Sequence, residues 1–204
     1  MQQDKSQTAK IKPENKKRQE RRPPKKITET YLHNAGLYYL QRFAASKSHF
    51  KNVMMRKVKK SCLHHTDQDF DACGEMVDRL TEKFENVGLL NDHVYARGLV
   101  TSLRRRGMSR KAILAKTGMK GIDSRQAQQS LKEYDDIHED TMGAELRAAL
   151  TLARRKKIGP YDITGKKDDQ KSLGKLARAG FSYETSRRVL DLDSEDISSS
   201  GLIS

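Results

Sequence analysis

The sequence has no tryptophan, two cysteines, four prolines and five phenylalanines among its 204 residues. Cys62 and Cys73 are too few for a disulfide framework, and no apolar run approaches the length of a signal peptide or a membrane span. We therefore predict a cytoplasmic protein with reduced thiols and no membrane association. Because only 35% of the residues are hydrophobic, one large core is excluded and several thin helical layers are favoured.

Positive charge is what the sequence has in excess, with a formal net charge of +14 at pH 7. Residues 1–26 hold ten lysines and arginines, three acidic residues and almost no apolar side chains. Such a segment cannot offset the entropy that is lost on ordering, so we predict a disordered basic N-terminal tail. It is interpreted either as a solubilising spacer or as an arm that makes weak, sequence-independent contact with nucleic acid.

The remaining sequence is patterned as helix nearly throughout. Apolar side chains recur every three or four residues, and most of these runs follow a residue that favours a helix N-cap. Helices are predicted to begin at or next to Thr28, Ser46 or Ser48, Asp69, Asn91, Ser109, Asp123, Thr141, Asp168 and Ser182. In the first helix, one buried face is predicted from Tyr31, Leu32, Ala35, Tyr38, Tyr39 and Phe43.

The predicted helices group into a unit of three that recurs roughly every 50 to 60 residues. Ser109 matches Ser46, and Gly121 matches Gly180. We predict an all-α fold, an elongated, curved and solenoid-like array of tandem three-helix repeats that follows the disordered tail. The predicted boundaries are 1–26 for the basic tail, 27–88, 89–137 and 138–192 for repeats 1, 2 and 3, and 193–204 for a flexible C-terminal tail.

Basic residues concentrate at helix ends in repeats 2 and 3. A run of three arginines starts at Arg104, and a similar basic run starts at Arg154, 50 positions later. One such cluster is usually explained by the helix dipole and by solvation, whereas two at matching places in stacked repeats predict a basic stripe along one edge. The candidate contact residues are Arg104, Arg105, Arg106, Arg110, Lys111 and Lys116 in repeat 2, with Arg154, Arg155, Lys156 and Lys157 in repeat 3.

No recognisable catalytic or metal-binding motif is present. Cys62, His64, His65 and Cys73 are potential zinc ligands. Their spacing is not that of a paired CxxC site, so a loop with one buried thiol is the preferred interpretation. The six histidines are scattered and no glycine-rich phosphate loop appears. We predict neither enzymatic activity nor a metal or cofactor.

Several short motifs together resemble the RecX family of bacterial regulatory proteins. They lie at residues 88–92, 95–97, 120–123, 148–156, 180–183 and 189–190. The resemblance covers about residues 28–192 and leaves the basic tail outside. The sequence departs from the family pattern in segment 61–68, at Asn91, where an aspartate is more usual, and at Thr117, where a core leucine is usual.

The resemblance implies a monomeric modulator that binds RecA and lies along the groove of the RecA filament on single-stranded DNA. It would restrain the recombinase, ATPase and coprotease activities of RecA in homologous recombination, DNA repair and the SOS response, and the candidate contact residues would face the filament or its DNA. The alternative is a protein that binds single-stranded nucleic acid directly, without sequence preference. Charge supports both, but the sequence offers no base-reading motif or aromatic stacking platform for the alternative.

Overall fold

The computed structural model describes residues 23–137, 143–163 and 168–192. Within these ranges the regular structure consists of nine α-helices and one 3-10 turn at Gly159–Tyr161, with no strand. The helices are α1 Glu29–Leu40, α2 Lys47–Cys62, α3 Phe70–Asn86, α4 Asp92–Arg105, α5 Arg110–Met119, α6 Ser124–Ile137, α7 Ala144–Lys156, α8 Asp169–Arg178 and α9 Tyr183–Asp191. Residues 1–22 of the predicted basic tail, the predicted C-terminal tail 193–204 and Thr141 lie outside the described residues.

The helices form three successive groups of three, and each group has its own hydrophobic core. Helices α1–α3 pack around Phe50 and Phe84. Helices α4–α6 surround Val100 and Ile113, and α7–α9 surround Leu150. The all-α prediction is confirmed, and separate cores in chain order are what a tandem array requires. None of the helices in the described ranges is long and apolar enough to cross a membrane.

Most helices begin where a short polar side chain caps them. In each case the cap oxygen accepts a hydrogen bond from the backbone N–H three residues later, which satisfies one of the donors that a helix start leaves unpaired. At Asn91, for example, the amide oxygen lies 3.0 Å from the nitrogen of Val94. The predicted starts that the structure confirms in this way are Thr28, Ser46, Asp69, Asn91, Ser109, Asp123, Asp168 and Ser182.

The buried face of α1 differs from the predicted one. Gly36 faces the core, because a Cβ at this position would lie only 2.9 Å from the ring of Phe84. Tyr38 lies two residues further on and therefore projects from nearly the opposite side of the helix. Phe43 lies beyond the end of α1. Both side chains are 57% exposed, so the prediction that they are buried was wrong.

The segment that leads into α1 is held against the turn between α2 and α3. The hydroxyl of Ser61 donates a hydrogen bond to the carbonyl of Lys25, at 2.9 Å. The side-chain amide of Gln68 accepts from the N–H of Ile27 and donates to its carbonyl, both at 2.9 Å, and Ile27 is buried. The chain is therefore fixed in position at Lys25, within the segment for which a disordered tail is predicted.

The core position of Thr117 is satisfied inside its own helix. The side chain is completely buried in α5. Its hydroxyl lies 3.1 Å from the carbonyl of Ile113 and 3.0 Å from that of Leu114, so it can donate within the helix that carries it. A threonine is thus tolerated here without an unpaired hydroxyl in the core.

Candidate interaction surface

Neighbouring groups of helices are connected through a serine at the start of the second helix of the first and of the second group. At the first joint, between α1–α3 and α4–α6, the hydroxyl of Ser46 donates to the carbonyl of Lys120. At the second joint, between α4–α6 and α7–α9, the hydroxyl of Ser109 donates to the carbonyl of Ala179, at 2.7 Å. Each serine also caps its own helix. One hydroxyl therefore both starts a helix and connects it to the next group.

A carboxylate makes the second contact that the two joints share. At the first joint the backbone N–H of Lys47 donates to Asp92, at 2.7 Å. At the second joint the N–H of Arg110 donates to both carboxylate oxygens of Glu145, at 3.1 Å each. In both cases a negative charge from the next group meets the positive end of a helix dipole. This contact was not predicted from the sequence, because a backbone N–H donates it and the accepting carboxylate is 35 or 45 residues away.

Two glycines allow the groups to approach closely at the joints. Gly121 and Gly180 have φ of +72° and +90°, values at which other residues are strained. A Cβ on Gly121 would overlap the side chain of Ser48, and a Cβ on Gly180 would lie 2.6 Å from the hydroxyl oxygen of Ser109. The match of these glycines in the sequence thus has a physical reason, because both occupy the corresponding place in a joint.

Arg104 forms a buried ion network at the second joint. Its side chain is only 3% exposed. The Nε and Nη2 groups donate to the two oxygens of Asp135 at 2.9 and 2.7 Å, and Nη1 donates to Glu145 at 2.7 Å and to the carbonyl of Met108 at 3.1 Å. Burial acts to lower the pKa of Arg104, but the hydrogen bonds to the two carboxylates outweigh it and the pKa is raised.

The structure corrects the prediction that Arg104 is a contact residue. A buried guanidinium whose Nε, Nη1 and Nη2 groups all donate to protein oxygens is not available to a filament or to DNA. In addition, the basic runs that start at Arg104 and at Arg154 do not occupy equivalent positions in their groups. The joint contacts of Asp92 and Glu145 place the first helices of the two groups 53 positions apart, rather than the 50 positions that separate the two runs.

The other predicted contact residues all lie on the surface. They are Arg105, Arg106, Arg110, Lys111, Lys116, Arg154, Arg155, Lys156 and Lys157. Arg110 and Lys111 meet Arg188 of α9 at a cleft of about 590 Å³ in the second joint. Asp136 and Glu145 line the same cleft, so its charge is mixed. The basic residues that follow Arg154 are outside this cleft, at the end of α7.

The first joint carries an apolar groove instead of a charged cleft. The groove has a volume of about 650 Å³ and includes the side chains of Phe43, Leu89, Val94 and Tyr95. Phe43, Leu89 and Val94 are exposed, and Tyr95 is half-buried. Burial raises the pKa of Tyr95, with smaller contributions from Tyr39 and Asp92. The surface between the first two groups is therefore apolar and open to solvent.

The cysteine and histidine residues near the α2–α3 turn make structural contacts. A ring nitrogen of His65 lies 2.8 Å from the carbonyl oxygen of Pro24, and the ring of His64 meets that of His65 edge-on. Burial, followed by the neighbouring thiol of Cys62, raises the pKa of Cys73. Among the residues that the structure describes, no three His, Cys, Asp or Glu side chains are grouped so that they could hold a metal ion.

Sequence and structure both relate the chain to known proteins, whereas no protein-family model matches it. The regulatory protein RecX of Myxococcus xanthus (strain DK1622) is 36% identical over 182 residues, which cover 88% of this chain and 94% of the relative. The regulatory protein RecX of Agrobacterium fabrum (strain C58 / ATCC 33970) is 27% identical over 169 residues, which cover 82% of this chain and 85% of the relative.

The fold is similar to two crystal structures. That of RecX from Lactobacillus salivarius superposes with a TM-score of 0.53 and 23% identity, covering 80% of this chain and 96% of that one. A crystal structure of another regulatory protein RecX superposes with a TM-score of 0.54 and 20% identity, covering 80% of this chain and 72% of that one. The helical array described above is thus a fold that RecX proteins adopt.

Proposed function

Since the chain belongs to the RecX family of regulatory proteins, we propose that it binds RecA and the RecA filament on single-stranded DNA. Binding restrains the recombinase, ATPase and coprotease activities of RecA, and so regulates homologous recombination, DNA repair and the SOS response. The protein acts in the cytoplasm, as a monomer. The observation that carries the proposal is the placement of exposed basic residues on two successive groups of an elongated array.

Two sets of basic residues are proposed to contact the filament. The set on the α4–α6 group consists of Arg105, Arg106, Arg110, Lys111 and Lys116, and the set on the α7–α9 group consists of Arg154, Arg155, Lys156 and Lys157. Arg104 holds the first set in position, because its buried ion network fixes the end of α4. A partner that is itself long and repetitive, and that carries acidic groups or phosphates, can meet both sets at once.

The proposed mechanism requires binding and no chemical step. A ligand shifts an equilibrium between two states only as far as it binds one of them better. An array that bridges neighbouring RecA subunits would favour one filament state over the other, and ATP hydrolysis would fall as that state is populated. No catalytic group, metal or cofactor of this chain takes part in the proposal.

The test is the DNA-dependent ATPase activity of preformed RecA filaments. The wild-type chain should inhibit hydrolysis at concentrations well below those needed to coat the DNA. The double variant Arg105→Ala/Arg106→Ala should need about three- to tenfold more protein for half-inhibition, because it removes two exposed charges from the proposed contact. Its helix content by circular dichroism should not change. The matched control is Arg125→Ala/Lys132→Ala on α6, which removes two exposed charges outside the proposed sets.

Direct binding to single-stranded nucleic acid is the alternative function. It predicts unchanged ATP hydrolysis by RecA together with tight binding to bare single strands and a steep dependence on salt. That combination would contradict the proposal. Equal loss of inhibition in the two double variants would contradict the assigned contact surface, because inhibition would then depend on total charge.

A further inference from the structure

The two cysteines of the chain lie on either side of the turn that joins α2 to α3. Cys62 is the last residue of α2, and Cys73 lies in the first turn of α3. Cys73 is buried in the core of the first group, and Cys62 is half-buried against the same core. Both are free thiols. Neither belongs to the sets of residues that are proposed to contact RecA.

The register of α2 against α3 brings the two cysteines opposite each other. The helices pack together and run in opposite directions, since only the short segment 63–69 joins them. Away from this turn, the ring centres of Phe50 and Phe84 lie 5.5 Å apart. Cys62 follows that contact by 12 residues along α2, and Cys73 precedes it by 11 residues along α3. Because a helical residue advances the chain by about 1.5 Å, both cysteines lie about 17 Å from the phenylalanine contact, at the same level.

The two thiols are close enough to interact, and they differ in their access to solvent. Burial raises the pKa of Cys73, and the thiol of Cys62 beside it raises this pKa further. A raised pKa keeps Cys73 protonated, and a protonated thiol reacts slowly with oxidants. Cys62 is the more exposed of the two, so an oxidant from solvent reaches it first. The pair therefore consists of an accessible thiol with a protected thiol behind it.

We propose that Cys62 and Cys73 are a modification site, at which peroxide produces a reversible disulfide within the first group. Hydrogen peroxide oxidises the thiol of Cys62 to a sulfenic acid and is reduced to water. The sulfur of Cys73 then attacks the sulfur of Cys62, so that the S–S bond forms, the S–O bond breaks, and the oxygen leaves as water with the proton of the second thiol. Thiol–disulfide exchange with reduced glutathione restores both thiols and produces glutathione disulfide.

The disulfide fastens the part of the fold that holds the segment leading into α1. The hydroxyl of Ser61 donates to the carbonyl of Lys25, and Gln68 holds the same segment from within the loop 62–73 that the disulfide closes. Closing a loop also restricts the unfolded chain, which stabilises the folded state. Oxidation therefore stabilises the first group and leaves the basic sets of the second and third groups unchanged. The site functions without RecA, and so it does not depend on the proposed regulation.

The test is treatment of the full, reduced chain with a small molar excess of hydrogen peroxide, followed by titration of free thiols and mass spectrometry. Both thiols should be lost together, and dithiothreitol should restore both. Trypsin leaves the two cysteines in one peptide, residues 61–79, and the mass of this peptide should fall by that of two hydrogen atoms. The Tm of the oxidised chain should exceed that of the reduced chain by about 5 °C, because the disulfide closes a loop.

Two variants separate the roles of the thiols. In Cys73→Ala the sulfenic acid of Cys62 should persist, so that dimedone labels it at least about tenfold more than in the wild type. In Cys62→Ser the buried thiol should remain reduced at the same excess of peroxide. The proposal is overturned if the wild type keeps both thiols, forms disulfides only between copies, or gives as much dimedone adduct as Cys73→Ala. A Tm that does not rise on oxidation would also overturn it, and the measurements on the wild type require no variant.

Discussion

At the second joint a buried guanidinium lies between two carboxylates, whereas the residue at the corresponding sequence position in the first group is Gln41, a neutral and exposed side chain. Gln41 precedes Arg104 by 63 positions, the separation that also relates Ser46 to Ser109. The serine contact and the carboxylate contact are the same in both joints. These two contacts therefore set the arrangement of neighbouring groups, while the residues around them can differ in kind.

The surfaces beside the two joints also differ, because the second is charged and the first is apolar. The second joint opens into a cleft that contains both acidic and basic side chains. The first opens into an apolar groove with exposed Phe43 and Val94. Breaking a buried ion network leaves charges without partners. The side chains of an open groove are already in contact with water, so replacing one of them leaves no such charge. We therefore expect substitutions at the second joint to lower the free energy of unfolding more than substitutions at the first joint.

The largest effect is expected for the ion network. Arg104→Ala should lower the free energy of unfolding by about 3 kcal/mol, because it leaves Asp135 and Glu145 without their partner. This is the lower end of the range for a broken buried pair, since both carboxylates keep some contact with water. Gln41→Ala, at the corresponding place, should change it by less than about 0.5 kcal/mol. Urea denaturation of the two variants measures the difference, and equal values would remove the distinction between the joints.

An intermediate effect is expected for the serines, and here the joints should behave alike. Ser46→Ala and Ser109→Ala each remove a helix cap and a hydrogen bond between groups, so each should cost about 2 kcal/mol of unfolding free energy. Ser182→Ala removes a cap that, among the described residues, makes no bond to another group, and it should cost about 1 kcal/mol. These values come from the same denaturation experiment. If all three substitutions lower the free energy of unfolding equally, the hydrogen bonds between groups contribute nothing measurable.

The smallest effect is expected from pH, and only at the first joint. Burial, then the charges of Lys120 and Arg56, lower the pKa of His49, so the neutral ring is favoured in the folded state. The stability from this histidine is present above its ordinary pKa of about 6.5 and is lost as pH falls. Between pH 7.5 and 5.5, Tm should therefore fall about 1–2 °C further in the wild type than in His49→Gln. The second joint has Ala112 at the corresponding place, and Ala112→Gln should leave the pH dependence as it is.

The helix starts could be predicted from the sequence because a cap is a local interaction. Asn91, Ser109 and Ser182 each bond to a backbone N–H only three residues away, so residue type and position are sufficient. The grouping into three-helix units followed from the repetition of such starts together with the glycines at 121 and 180. The repeat boundaries themselves remain a prediction.

The properties that depend on distant residues could not be predicted. Three consecutive arginines look alike in the sequence, and Arg104 differs from its neighbours only because Asp135 and Glu145, 31 and 41 residues away, enclose it. The orientation of α1 was missed for a related reason. Its apolar residues occur on all sides, so the direction of the core depends on where Gly36 meets the phenylalanine rings.

The residue at the start of α8 has a consequence for the growth of the array. Asp168 caps α8 as Ser109 caps α5, but a carboxylate can only accept hydrogen bonds, whereas the serine hydroxyl also donates to the next group. A further unit docked at this end, from a second copy of the chain for example, would bring a backbone carbonyl against a negative charge. This type of joint is therefore disfavoured at the start of α8, because the cap there can accept hydrogen bonds but cannot donate one.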